Sequence, residues 1–197
     1  MRFTVKNLSR SGLTVDVAGW LENAVCLHSA PTAGGSRRNR IVPLPAEREG
    51  EMFERLRDAS DRWLAAHGVR PRVFLATMGP IPEHKPRATF AKNFLEAGGL
   101  EILAGDGLAT VADAVAAFAA SGADRVAICS SDRRYAEEVP ALAAALKAAG
   151  ARTVLLAGRP GEREAEWRAA GVDRFLFLGA DVHESLAALL GEMGVLS

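Results

Sequence analysis

Cysteine is scarce in this chain: Cys26 and Cys129 are the only two in 197 residues, and they lie far apart. Too few thiols are present for a disulfide framework or for a zinc site built on paired cysteines. No excess of either charge exists, because 24 Lys and Arg balance 24 Asp and Glu. That balance removes the electrostatic case for nucleic acid or an anionic membrane as the main partner. No apolar run approaches the roughly 20 residues that a membrane span needs. Lys6, Arg10 and Asp16 interrupt the apolar residues at the N-terminus, so no signal peptide is read there and the cytoplasm is the expected compartment. Several ligand motifs are missing too. There is no phosphate loop ending in Gly-Lys-Ser/Thr, no Gly-x-Gly-x-x-Gly after a strand, and no serine nucleophile elbow.

What is present is enough apolar material for a core, 49% of residues, in a chain whose length suits one domain with an additional arm. Residues 1–42 form an uncertain arm and linker. Phe3-Thr4-Val5 and Leu13-Thr14-Val15-Asp16-Val17 could pair as short strands there, and Ser29 to Arg40, with Pro31, Gly34 and Gly35, has linker composition. Residues 43–69 form a helical connector: Met52, Phe53, Leu56, Ala59, Trp63 and Leu64 recur at helical spacing, and Gly68 is a natural stop.

From residue 70 to 197 short apolar runs alternate with helical stretches. Strands are expected at Val73–Ala76, Leu100–Leu103, Arg125–Cys129, Thr153–Ala157 and Arg174–Leu178. Helices are expected at Ala88–Ala97, Val111–Ala120, Ala136–Ala149, Gly161–Ala170 and Val182–Met193. Apolar strands joined through helices predict an α/β fold with a parallel sheet covered on both faces. About five strands in this length fit the flavodoxin-like arrangement, in which ligands bind at the carboxyl ends of the strands.

The expected rim loops follow strands one, three, four and five. The first, Gly79 to Arg87, carries Glu83, His84 and the stiffening Pro80, Pro82 and Pro86. His84 could bind a metal through a neutral ring nitrogen, or be an exposed loop residue. Ser130-Ser131-Asp132 is expected to cap the next helix, with a ligand contact as an addition. Gly158 permits close backbone approach, which a turn would equally require. Asp181 reads as a helix N-cap and His183 as a surface residue. If Glu83, His84 and Asp132 converged, the rim could instead carry acid–base chemistry.

Arg72 to Phe94, Cys129 to Ala136, Ala144 to Gly158 and Phe175 to Val182 together resemble the C-terminal cobalamin-binding domain of methylmalonyl-CoA mutase. The likeness is greatest to the small, beta-type subunit and extends over roughly residues 40 to 197. In cobalamin-binding members, the resemblance implies, strand one is followed by Asp-x-His-x-x-Gly, with the histidine as lower ligand to cobalt and the aspartate orienting it. On this chain those positions fall on Ile81, Glu83 and Pro86, and His84 is displaced by one residue. The family's Ser-x-Leu becomes Ser130-Ser131-Asp132, and its glycine pair after strand four becomes Ala157-Gly158. Asp132 would set a carboxylate where the cofactor's buried tail expects an apolar neighbour, a costly burial if unpaired.

The resemblance therefore implies a degenerate cobalamin-binding fold. It would be a non-catalytic assembly module whose partner is the large (alpha) subunit of the mutase. The alternative is a working adenosylcobalamin domain with His84 as the axial cobalt ligand and Gly79, Glu83, Ser130, Ser131 and Gly158 around the cofactor. The chain is too short to include the catalytic barrel as well.

Overall fold

A computed structural model describes residues 50–196. The expectations for residues 1–42, and the start of the connector up to residue 49, lie outside the described residues. Five parallel strands run β1 Arg72–Thr77, β2 Glu101–Ala104, β3 Arg125–Cys129, β4 Thr153–Ala157 and β5 Arg174–Leu176, in the spatial order β2-β1-β3-β4-β5. This is the flavodoxin-like order, whose direction of winding reverses between β1 and β3. The register pairs Phe74 with Val126 and Thr77 with Cys129 across that point.

The strands form because each is an apolar run buried on both faces, as a parallel sheet requires. Every residue of β3 and β4 is buried. Alternate side chains then feed two cores. Phe74, Ala76, Ile128, Leu156 and Phe175 face one side, against α3 Val111–Ser121, α4 Asp132–Ala148 and α5 Glu164–Ala169. Val73, Leu75, Ala127, Leu155 and Leu176 face the other, against α1 Glu51–His67, α2 Ile81–Glu96 and α6 Val182–Glu192. Helices α2 and α4 therefore lie on opposite faces.

Helix α1 is part of the second core. It buries Leu56 and Ala59, and Ser60 Oγ donates to the Gly98 carbonyl at 2.9 Å. Gly68 ends it at φ 76°, with its N–H on the Leu64 carbonyl, as the helical pattern predicts. Gly99 (φ 80°) sits so close beneath this helix that a Cβ would lie 2.8 Å from Ser60 Cβ. The Asp181 cap is also formed, its side chain accepting from the Glu184 N–H.

Two local expectations fail. Helix α2 begins at Ile81, not Ala88, so no loop spans Gly79 to Arg87. The prolines explain the misreading. Pro80 is the extended N-cap and Pro82 lies in the first turn, where a missing N–H breaks no intrahelical bond. Likewise α4 begins at Asp132, so the segment after β3 is only Ser130-Ser131. Among the described residues no helix is long and apolar enough to cross a membrane.

Candidate functional site

The rim above the winding reversal is built from the end of β1, the Ser130-Ser131 link, Gly158 and a segment that sequence reasoning did not include. Beyond β2 the chain bends at Asp106 and Gly107 (φ 58°) and returns to bridge the end of β1, where Gly79 N–H donates to the Leu108 carbonyl at 2.8 Å and Leu108 N–H to the Thr77 carbonyl at 2.7 Å. Thr77 Oγ1 donates to the Gly105 carbonyl and accepts from Gly107 N–H at 3.2 Å. On the other side Met78 N–H reaches the Cys129 carbonyl at 2.9 Å, and Ser130 Oγ donates to the Met78 carbonyl at 2.9 Å. The ends of β2, β1 and β3 are stitched together.

His84 is neither in a loop nor exposed. It sits in the first turn of α2 with 8% of its surface accessible. Its Nδ1 is 2.9 Å from the Gly79 carbonyl. A carbonyl only accepts, so Nδ1 carries the proton and, in the neutral ring, Nε2 holds the lone pair. Among the described residues no three His, Cys, Asp or Glu side chains are grouped to hold a metal ion. Glu83, one residue earlier, points across to α4, where Arg134 Nε donates to its Oε2 at 2.6 Å.

Ser131 occupies the N-cap of α4, but its side chain makes no capping bond; the expected Ser130-Ser131-Asp132 cap is absent. Ser130 is engaged with β1 instead, and Asp132 reaches Arg87 Nη2 at 2.6 Å. The Asp132 side chain is 83% exposed, so it carries none of the burial penalty that its position in the motif suggested. Glu83, His84 and Asp132 each have separate partners, which leaves no convergent acid–base group.

Three side chains that sequence reasoning missed dominate the rim: Arg87, Arg134 and Tyr135. The Tyr135 ring is buried between the two layers, and its hydroxyl accepts from Ser130 N–H at 3.0 Å and donates to the Ala157 carbonyl at 2.8 Å. Arg87 lies over the Tyr135 ring, 4.8 Å from its centroid. It also donates to the Ala157 carbonyl at 3.2 Å. Burial works against the Arg87 charge, yet the Asp132 hydrogen bond and its neighbours outweigh this and raise its pKa. The Glu83 hydrogen bond raises that of Arg134. Burial pushes the Tyr135 hydroxyl up and the Cys129 thiol up to about 12. Both stay neutral.

Beneath Ser130 and Tyr135 no space admits a water-sized sphere. A groove of about 560 Å³ lies elsewhere, along the outer edge of β5 between α5 and α6, with Phe94, Phe175, Phe177, Arg174 and Glu192 in its wall. Its charges are already paired, Arg174 with Glu192 and Arg168 with Glu164.

Curated proteins similar to this chain cover the same α/β region. A methylmalonyl-CoA mutase small subunit of Streptomyces virginiae is 46% identical over 152 residues, 77% of this chain. Over this segment the chain is similar to methylmalonyl-CoA mutase small subunits. A probable small subunit of Mycobacterium tuberculosis is 40% identical over 151 residues. A small subunit of Propionibacterium freudenreichii subsp. shermanii is 34% identical over 173 residues, 82% of this chain. The matches cover 24% of the Streptomyces protein and 26% of the Propionibacterium one, so the chain spans about a quarter of the length of these small-subunit relatives. No protein-family model matches the chain.

Proposed function

We propose that this chain supplies a cobalamin-domain fold that no longer takes the cofactor, and that it works as a non-catalytic assembly module of a methylmalonyl-CoA mutase with the large subunit as its partner. The observation that carries this reading is the state of His84. A lower ligand must present its ring to the metal while a second group orients the other nitrogen. Here the ring is withdrawn into the first turn of α2, and its Nδ1 is held by a main-chain carbonyl, not a carboxylate.

The surroundings support the same reading. A corrinoid needs open space above the strand ends and a channel for its tail. The strand ends are joined by backbone bonds, and the buried Tyr135 side chain fills the layer beneath Ser130 and Gly158. The residues present therefore do not fit the group, and no step through cobalt is assigned to this chain.

A working cofactor domain is the second reading, and one observation favours it: the protonated Nδ1 leaves Nε2 of His84 free of a proton in the neutral ring. A visible-absorbance titration with adenosylcobalamin, run beside size-exclusion chromatography with purified mutase large subunit, separates the two. Flat absorbance together with co-elution is the expected result. Saturable spectral change, abolished by His84→Ala, would replace the assembly reading with the cofactor reading. Flat absorbance without co-elution would remove the large subunit as partner.

A further inference from the structure

The contacts between α2 and α4 form a pattern beyond any single residue. The two helices lie on opposite faces of the sheet, and their first turns meet only over the strand ends. Each sends an arginine across to a carboxylate of the other. Arg87 of α2 reaches Asp132 of α4 at 2.6 Å, and Arg134 of α4 reaches Glu83 of α2 at 2.6 Å. Glu138 steadies Arg134 from one turn further along, at 2.7 Å. The two guanidiniums thus run as crossed straps over the place where the winding reverses, which is where this fold class binds its ligands.

The straps lie in spaces that glycines leave open. A Cβ on Gly158 would be 2.5 Å from Arg87 Nη1 and 3.2 Å from the Tyr135 ring, and one on Gly79 would be 2.5 Å from Arg134 Nε. Gly79 also needs glycine for its φ of 81°. Gly158 is not among the positive-φ glycines, so space alone explains glycine there. In a cofactor domain, a glycine at this rim makes room for a ligand. Here the room is taken by the chain's own arginine.

We infer that Arg87 and Arg134 are built-in occupants of the crevice: they exclude a corrinoid by filling the two glycine-walled recesses and strapping α2 to α4. This inference rests on the reading that the chain does not take the cofactor, and it assigns the exclusion to side chains that can be removed. Both are long and attached at the rim, so truncating them empties the recesses at the cost of one Arg87 hydrogen bond to the end of β4.

The test compares wild type, Arg87→Ala/Arg134→Ala, and the same double variant with Gly158→Leu, by equilibrium dialysis with adenosylcobalamin. Circular dichroism checks the fold of each. The expected result is no retention by wild type, a gain of roughly tenfold or more in the folded double variant, and loss of that gain when Gly158→Leu refills the recess. A folded double variant that retains no more than wild type overturns the inference alone, as does a gain that survives Gly158→Leu. Wild type that binds overturns the assembly reading itself.

Should the double variant fail to fold, a stability cycle on Gly158→Ala and Arg87→Ala decides the Arg87 half. Gly158→Ala is expected to lower the melting temperature when Arg87 is present and to lower it less in the Arg87→Ala background, where only the 3.2 Å approach to the Tyr135 ring remains. Equal effects in both backgrounds would overturn the inference.

Discussion

Tyr135 shows how one hydroxyl can hold a rim closed. It is 1% exposed, accepts the Ser130 N–H and donates to the end of β4, so it joins β3 to β4 just beyond their last paired residues. Tyr135→Phe keeps the ring and strands a buried main-chain N–H. Such a group costs about 1–3 kcal/mol, and urea unfolding of the variant is expected to show a loss in that range; an unchanged midpoint would mean the hydroxyl carries no weight. Nothing near Tyr135 in sequence announces this role. Its partners on β4 and α2 are brought to it only by the fold. The same holds for His84, whose neighbours Pro82, Lys85 and Pro86 read as a loop because proline is read as a breaker; position in the helix's first turn reverses that meaning for Pro82, while Pro86 lies inside the helix.

Among elements, α1 and α6 are the legible ones, since their signals are short-range. Leu56 and Ala59 recur at helical spacing, Gly68 stops α1, and Asp181 caps α6 from three residues away. Asp181→Ala is expected to cost about 0.5–2 kcal/mol, the usual value of a lost cap, measurable as a lower melting temperature. Leu56→Ala is the sharper probe. Leu56 is 3% exposed in a core shared with α2 and α6, and such truncations cost about 2–5 kcal/mol. A loss near that size in a single cooperative transition would establish that α1 is integral to the domain and not a tether. Less than about 1 kcal/mol would reverse that conclusion. Ser131 is the counter-example: it has a capping residue's identity and position but makes no side-chain bond.

At the scale of the molecule, two acids are kept neutral by the fold they help to form. Burial pushes the Cys129 thiol up to about 12 and raises Tyr135 as well. A group whose pKa is higher folded than unfolded contributes stability that is complete below its unfolded value and is lost as pH rises through the folded one. The domain should therefore weaken from about pH 9 upward, with each group adding a slope near 1.4 kcal/mol per pH unit once its unfolded form ionises. Chemical denaturation at a series of alkaline pH values checks this, and Cys129→Ala is expected to flatten the first part of the decline. A flat profile to about pH 11 would show that neither burial matters to stability.

The layered fold was already legible in the linear pattern. Buried parallel strands must be continuous apolar runs and their crossovers must be amphipathic helices, so periodicity within a dozen or so residues was enough to place β1 to β5 and most of the helices. The family resemblance was legible too, because it rests on residues in linear order. The crossed straps had no such signal and came from packing in three dimensions. Arg87 and Asp132 are 45 residues apart, Glu83 and Arg134 51, and they sit on opposite faces of a sheet. A charge in a sequence has no direction; only the packing of α2 and α4 over the ends of β1 and β3 gives these arginines their partners and the glycines their occupants.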